Sequence, residues 1–238
     1  ESPGFRYTLD GNEQYRDIAT FRQHWDTYRS HPELSALFDE ERLLFVEQPL
    51  HREVALAETV RNELADWGLK APPIIIDESD GELGSMRQAI ALGYRGTSHK
   101  NCKGVIKGLA NRCLIEWHRR RSSTGCPWLM SGEDLANVGP VALLNDLAAM
   151  AAFGIEDVER NGHHYFAGLD VFPMELQSLV CRQHSDLYAM SPGGFATLQI
   201  EKGRIAVGSL RDTPFGHGLD ISPRLLDLLG EEGLPWPD

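Results

Sequence analysis

The chain has 238 residues, of which 42% are hydrophobic and 24% are charged, and its formal net charge is −12. This composition is ordinary for a soluble globular protein, and the acidic balance argues against a nucleic-acid partner, whose binding surface would be basic. No apolar run approaches the about 20 residues that span a bilayer, and the polar start ESPGFRYTLD lacks the apolar core of a signal peptide. The 4 cysteines show no metal-ligand spacing, so we expect reduced thiols in a cytoplasmic protein that contacts no membrane.

Strands and helices are predicted to alternate along most of the chain. FRYTLD predicts a strand, and RDIATFRQHWDTYRS predicts an amphipathic helix, because Ile18, Phe21, Trp25 and Tyr28 recur at helical spacing. Further strands are predicted at LLFVEQP, PPIIIDES, YRGTSHKNC, PWLMSGED and EDVERNG. Helices are predicted between them at REVALAETVRNELADWG, ELGSMRQAIALG, GVIKGLANRCLIEWHRRR and VGPVALLNDLAAMAAFG. This alternation favours a parallel α/β sheet with right-handed crossovers.

Three further predicted helices carry apolar residues at helical spacing. In REVALAETVRNELADWG, Val60, Leu64 and Trp67 form one stripe. We expect Leu83, Met86 and Ile90 to face the core. The helix in GVIKGLANRCLIEWHRRR carries an apolar set made of Ile106, Leu109, Cys113 and Trp117.

The pattern changes after Gly168, which suggests a division of the chain. Residues 1–168 are predicted to form one α/β barrel domain, and residues 169–238 a C-terminal tail. In the tail, FATLQIEKGRIAVGSL predicts a hairpin around EKGR. SPRLLDLLGEEG predicts a short helix, with Ser222 as N-cap and Gly230 as its stop.

Acidic residues stand at the ends of three predicted strands. Asp10 closes the first strand, Glu47 the second and Asp77 the third. In a parallel α/β barrel all strand ends open onto one face, so residues far apart in sequence can converge there. Three carboxylates in a pocket of low dielectric constant repel one another, and a hard divalent cation such as Mg²⁺ relieves that repulsion. The sequence therefore predicts a magnesium site formed by these three acids.

A lysine at the end of the next strand adds a proton-transfer group. An amine on Lys100, beside a substrate carboxylate held by the metal, could remove the proton from the α-carbon. Lys103 is expected at the rim of the site and Lys107 in solvent, whereas Glu78 is expected to cap a helix or make a supporting contact. Abstraction of a proton α to a carboxylate is the reaction class that this constellation suits best.

Four segments in order, DGNEQY, FVEQP, IIIDES and KNCKG, resemble the mandelate racemase and muconate-lactonising branch of the enolase superfamily. The resemblance spans roughly residues 5–165. It implies a (β/α)8 TIM-type barrel, with Asp10, Glu47 and Asp77 as Mg²⁺ ligands at the ends of its third, fourth and fifth strands. By the same resemblance Lys100, at the end of the sixth strand, is the catalytic base.

The resemblance also implies a small carboxylate substrate and one of three outcomes: racemisation, dehydration or cycloisomerisation. Glu133 stands where many members of the family carry a glutamate, and it is expected to line the substrate pocket. ERNGHHYF adds Asn161 and His163 as candidate substrate-binding residues. Adjacent residues of a strand face opposite sides, so the neighbouring histidines do not indicate a zinc site.

The chain also departs from the family pattern. Only Gly104 follows the lysine segment where the family has a pair of glycines, and the N-terminal capping domain and first barrel strands have no counterpart in this sequence. An incomplete barrel leaves an open sheet edge. A second hypothesis is therefore a non-catalytic partial barrel, or a subunit that needs another chain to complete its site. A homo-oligomer is a further possibility.

Overall fold

The computed structural model describes residues 5–35, 37–38, 42–122, 127–162, 165–213 and 216–219. The chain divides into two compact units, residues 1–131 and residues 132–238. Within the described ranges, no helix combines the length and apolar character needed to cross a membrane.

The first unit alternates strands with helices, as predicted. Its elements are β1 (Tyr7–Asp10), α1 (Ile18–Ser30), β2 (Leu43–Glu47), α2 (Arg52–Ala55), α3 (Thr59–Trp67), β3 (Ile74–Ile76), α4 (Ser85–Leu92), β4 (Gly96–His99) and α5 (Val105–Arg119). The predicted helix over residues 52–68 is thus two helices. Strand β5 (Leu129–Glu133) follows α5 and runs on into the second unit.

The strands form a parallel sheet in chain order. Successive pairs β1–β2, β2–β3 and β3–β4 are parallel, and the order of the six-stranded sheet is β1-β2-β3-β4-β5-β6. Sequential parallel order with helical crossovers is compatible with part of a (β/α)8 barrel. The described residues contribute six strands to this sheet, fewer than the eight of a closed barrel.

The core of the first unit lies between the helices and the sheet. Ile18, Phe21 and Trp25 form the buried side of α1, and Val60, Leu64 and Trp67 that of α3; Ile74 and Ile76 of β3 belong to the same cluster. Asp17 begins α1 by accepting a hydrogen bond from the Thr20 backbone N–H. Each large side chain buried in this way contributes about 1.5–3 kcal/mol. The helical spacing of the apolar residues therefore predicted these buried faces correctly, except at Tyr28, which is 47% exposed.

The apolar residues at helical spacing on α5 are largely exposed, and its polar residues are buried. Ile106 is 78% exposed, Leu109 47% and Trp117 50%, whereas Lys107 and Asn111 lie on the buried side. A buried charge requires a partner, and both of these polar residues bind Asp80. The polar contacts thus determine which side of α5 faces inward. Leu83 is likewise 73% exposed, because α4 begins only at Ser85.

The second unit has its own core. Its elements are the end of β5, α6 (Ala142–Phe153), β6 (Val158–Glu159), α7 (Met174–Gln183), β7 (Tyr188–Met190), β8 (Ala196–Leu198) and α8 (Gly208–Arg211). Strand β6 pairs in parallel with β5. Leu143, Leu144 and Leu147 of α6 belong to the same buried cluster as Leu176 and Val180 of α7.

The hairpin of the second unit differs from the predicted one. Strands β7 and β8 are antiparallel, with Tyr188 opposite Leu198. In the predicted EKGR turn, Glu201 and Arg204 form an isolated antiparallel bridge. The predicted helix over residues 222–233 lies outside the described residues.

The orientation of α5 can be tested by two truncations. Leu109→Ala removes a half-exposed side chain and should change the free energy of unfolding by no more than about 0.5 kcal/mol. Ile115→Ala removes a side chain that is 0% exposed and should cost about 2–5 kcal/mol. Urea unfolding measures both changes. A loss for Leu109→Ala as large as that for Ile115→Ala would show that the apolar stripe is buried too, which would contradict this orientation.

Candidate metal and proton-transfer site

Carboxylates gather where parallel strands end. Glu47 is the last residue of β2, Asp77 follows β3 directly, and Glu133 is the last residue of β5. Glu47 is 7% exposed and Asp77 3%. One potential ligand oxygen from each of Glu47, Asp77 and Glu133 lies within 4.8 Å of the others. This acidic group could bind a metal ion.

Strand register brings Glu47 and Asp77 close in space. Glu47 pairs with Ile75, so Asp77 lies two residues further along the neighbouring strand. Side chains two residues apart on a strand point to the same face. Residues separated by a whole helix in sequence therefore meet at the carboxyl ends of adjacent strands, as the sequence predicts for this pair.

Gln48 holds the loop that carries Asp77. Its side-chain Oε1 accepts hydrogen bonds from the backbone N–H groups of Asp77, at 2.8 Å, and of Ser79, at 3.3 Å. Its Nε2 donates to Ser79 Oγ at 2.8 Å and to the Leu50 carbonyl at 2.6 Å. Gln48 is 1% exposed and has a φ of 31°, a left-handed conformation that costs a non-glycine residue about 1–3 kcal/mol. Sequence reasoning missed this residue, although its place directly after Glu47 was a signal.

Two lysines bind the carboxylate of Asp77. Lys100 Nζ lies 2.8 Å from Asp77 Oδ2, and Lys103 Nζ donates to Asp77 Oδ1. The exposed fractions of the side chains are 12% for Lys100, 14% for Lys103 and 4% for Asp77. The expectation that Lys103 lies at the rim is therefore wrong. The turn Asn101–Lys103 carries this side chain back over the ends of β3 and β4.

A second buried ion pair supports the first. Lys107 Nζ lies 3.0 Å from Asp80 Oδ1, and Asp80 Oδ2 accepts from Thr97 Oγ1 and Asn111 Nδ2, each at 3.0 Å. Lys107 is only 9% exposed, so the expectation that it is solvated is wrong. The pair fastens α5 to the loop after β3, and breaking such a pair on one side costs about 3–5 kcal/mol.

Asp10 lies next to Glu47 but makes a different set of contacts. Asp10 is exposed and pairs in register with Glu47. Its carboxylate accepts hydrogen bonds from the Asn12 backbone N–H at 2.8 Å and from Asn12 Nδ2 at 3.1 Å, which closes a turn. The acidic group contains Glu133 and not Asp10. The role of Asp10 as a metal ligand stays a prediction.

The predicted pocket residue Asn161 contacts Glu133. Its Nδ2 donates to Glu133 Oε1 at 3.2 Å and to Glu159 Oε1 at 3.1 Å. Its backbone N–H donates to Asp134 Oδ1 at 2.9 Å, and Asp134 is fully buried. Asn161 is thereby placed to orient the Glu133 carboxylate. The other predicted pocket residue, His163, lies outside the described residues.

Glu78 has one buried oxygen without a hydrogen-bond partner. This atom is Oε2, and burial raises the pKa of the Glu78 carboxyl, with the charge of Asp77 adding to the increase. Glu78 does not cap α4, whose N-cap is Gly84.

Nearby, Glu13 accepts two side-chain hydrogen bonds from Arg52, at 2.8 and 2.6 Å, and the Arg52 contact lowers the pKa of Glu13.

His99 has a structural environment. It is 3% exposed, and its Nε2 shares a 3.0 Å hydrogen bond with Asn101 Oδ1. Burial lowers the pKa of His99 below 6.5. The folded state therefore favours the neutral ring, as expected for a histidine with a structural role.

The lowered pKa of His99 predicts an acid-sensitive stability. As the pH falls below 6.5, the unfolded chain takes up the proton before the folded chain does, so the folded state loses stability until the pH passes the folded pKa. A His99→Gln variant should lose less free energy of unfolding between pH 7 and pH 5 than the unmodified chain. Parallel curves for His99→Gln and the unmodified chain would contradict this account.

Comparison with known proteins gives little further identification. No protein-family model and no curated protein matches the chain. A crystal structure from Sinorhizobium meliloti named "putative isomerase" is 14% identical, with a TM-score of 0.41, and the match covers 67% of this chain and 35% of that one. The chain thus spans about a third of the length of that protein. At this score the likeness supports no inference about this chain.

Proposed function

We propose that this chain is a metal-dependent enzyme that abstracts the α-proton of a small carboxylate substrate. The observation that carries the proposal is the Lys100 amine, which lies 2.8 Å from Asp77 Oδ2 beside the group formed by Glu47, Asp77 and Glu133. Cation ligands and a proton-transfer group thus occupy the same strand ends. Racemisation, dehydration and cycloisomerisation all begin with this proton transfer.

The donor set suits a hard divalent cation. All three residues of the acidic group offer carboxylate oxygens, which are the ligands that Mg²⁺ prefers. Glu47 and Asp77 are almost completely buried, and buried carboxylates require charged or hydrogen-bonding partners. When bound, Mg²⁺ would stabilise the negative charge that develops on the substrate carboxylate.

Lys100 supplies the proton chemistry in this proposal. As a free amine, its Nζ takes the α-proton: the Cα–H bond breaks, and the electron pair moves into the bond towards the substrate carboxylate. As an ammonium, the same Nζ returns the proton. Its 12% exposure keeps most water away from this atom, which favours transfer to the substrate over exchange with solvent.

Glu133 and Asn161 would bind the substrate in this proposal. Asn161 donates to Glu133 Oε1 at 3.2 Å and so fixes one oxygen of that carboxylate. We assign Glu133 and Asn161 to the wall of the substrate pocket, with Glu133 also available as a metal ligand. Asp10, at the end of β1, is proposed as a further metal ligand.

Metal binding is the first test. Isothermal titration with Mg²⁺ should give one site in the unmodified chain, and Asp77→Asn should weaken its affinity at least about 10-fold, because a ligand oxygen becomes a neutral amide. Asp66→Asn is the control, since the Asp66 side chain is 83% exposed and forms its ion pair with Arg22 of α1. Asp10→Asn shows whether Asp10 is a ligand as well. Unchanged affinity in Asp77→Asn would remove the metal assignment.

Proton exchange is the second test. Candidate 2-hydroxy acids and sugar acids are incubated in D₂O with the protein and Mg²⁺, and proton NMR follows deuterium entering the α-carbon. Exchange should be lost in Lys100→Ala, which has no proton-transfer group, and kept in Lys70→Ala, which alters an exposed lysine. Equal exchange in the two variants would contradict the role of Lys100. Exchange that appears only when a companion chain is added would favour the incomplete-barrel hypothesis.

A further inference from the structure

We infer that Lys103 is a fixed counter-cation of Asp77 that leaves this carboxylate only one oxygen for a metal ion. The inference deepens the proposed function and rests on it, since it concerns the same Asp77. It gives Lys103 a positioning role that is distinct from the proton transfer assigned to Lys100.

The contacts of Lys103 use its full donor capacity. Its Nζ donates to the Asp77 carbonyl at 2.8 Å, to the Ser98 carbonyl at 3.1 Å and to Asp77 Oδ1. A lysine ammonium has three N–H donors and no acceptor. All three donors are thus satisfied by the protein, and no lone pair is free to accept a proton from a substrate.

Two of the three acceptors keep the ammonium in place. The carbonyls of Asp77 and Ser98 are main-chain groups at the ends of adjacent strands, and they neither titrate nor rotate away when the carboxylate changes partner. The Lys103 side chain is 14% exposed, so water would replace these bonds poorly. A cation that approaches Asp77 therefore finds Oδ1 already bound.

The two oxygens of Asp77 then have separate tasks. Oδ1 stays bound to Lys103. Oδ2, which lies 2.8 Å from Lys100 Nζ, is the oxygen that can exchange the Lys100 ammonium for a metal ion. Asp77 would bind the metal through one oxygen only. The fixed positive charge nearby also lowers the affinity for a divalent cation by Coulomb repulsion.

Removal of the Lys103 charge should therefore strengthen metal binding. We compare Mn²⁺ affinity by titration calorimetry and by the electron paramagnetic resonance signal of free Mn²⁺. Lys103→Met should bind Mn²⁺ at least about 10-fold more tightly than the unmodified chain, because a unit of positive charge is lost close to the ion. Lys103→Arg, which keeps the charge, should stay near the original affinity.

A matched control separates this effect from a general destabilisation of the site. Lys107→Met breaks a comparable buried ion pair, but that pair involves the carboxylate of Asp80 and not that of Asp77, so its Mn²⁺ affinity should stay within about 2-fold of the original. Lys103→Gln is a second variant that removes the charge but still offers N–H donors to the two carbonyls. Circular dichroism verifies that each variant is folded.

The results that would overturn this inference differ from those that would overturn the proposed function. Equal or weaker Mn²⁺ binding in folded Lys103→Met or Lys103→Gln would overturn the inference, as would equal gains in Lys103→Met and Lys107→Met. Mn²⁺ binding that appears only after the charge is removed would support the fixed counter-cation and count against a metal function of the unmodified chain. Asp77→Asn combined with Lys103→Gln should abolish the gain.

Discussion

The carboxylate of Asp77, bound by two lysine ammonium groups, is the interaction on which the rest of the site depends. The side chain is 4% exposed, and a buried carboxylate is tolerated only with charged or hydrogen-bonding partners. Lys100 and Lys103 supply those partners, and both come from the short stretch between β4 and α5. The requirement to pair one charge thus fixes the end of β4 against the end of β3.

The need to pair buried charges also determines contacts outside the site. Gln48 holds the loop after β3 through the backbone N–H of Asp77, while Asp80 in that loop binds Lys107 of α5. Helix α5 therefore turns a lysine inward and leaves Leu109 and Trp117 half exposed. Here the cost of an unpaired buried charge outweighs that of exposing apolar side chains.

Much of this fold could be predicted from local sequence patterns. The alternation of strands and helices follows from apolar periodicity, and the buried faces of α1 and α3 follow from helical spacing. The proximity of Glu47 to Asp77 follows from the rule that parallel strand ends meet at one edge. These features depend on short stretches of chain or on a general topological rule.

The errors concern contacts between distant parts of the sequence. The apolar stripe of α5 is largely exposed, because the orientation of the helix depends on Asp80, 27 residues before Lys107. The acidic group contains Glu133, a residue that the sequence assigned to the substrate pocket, whereas Asp10 bonds to Asn12 in its own turn and its role as a metal ligand stays a prediction. Spacing along the chain does not reveal which competing contact a carboxylate makes.

The most direct test of the central claim is a crystal structure of the chain grown with Mn²⁺, with anomalous data collected to locate the ion. The account predicts an anomalous peak bound by Glu47, Glu133 and Oδ2 of Asp77, with Lys103 still on Oδ1. A crystal in which Mn²⁺ is absent from these carboxylates, or in which Asp77 binds it through both oxygens, would contradict the account.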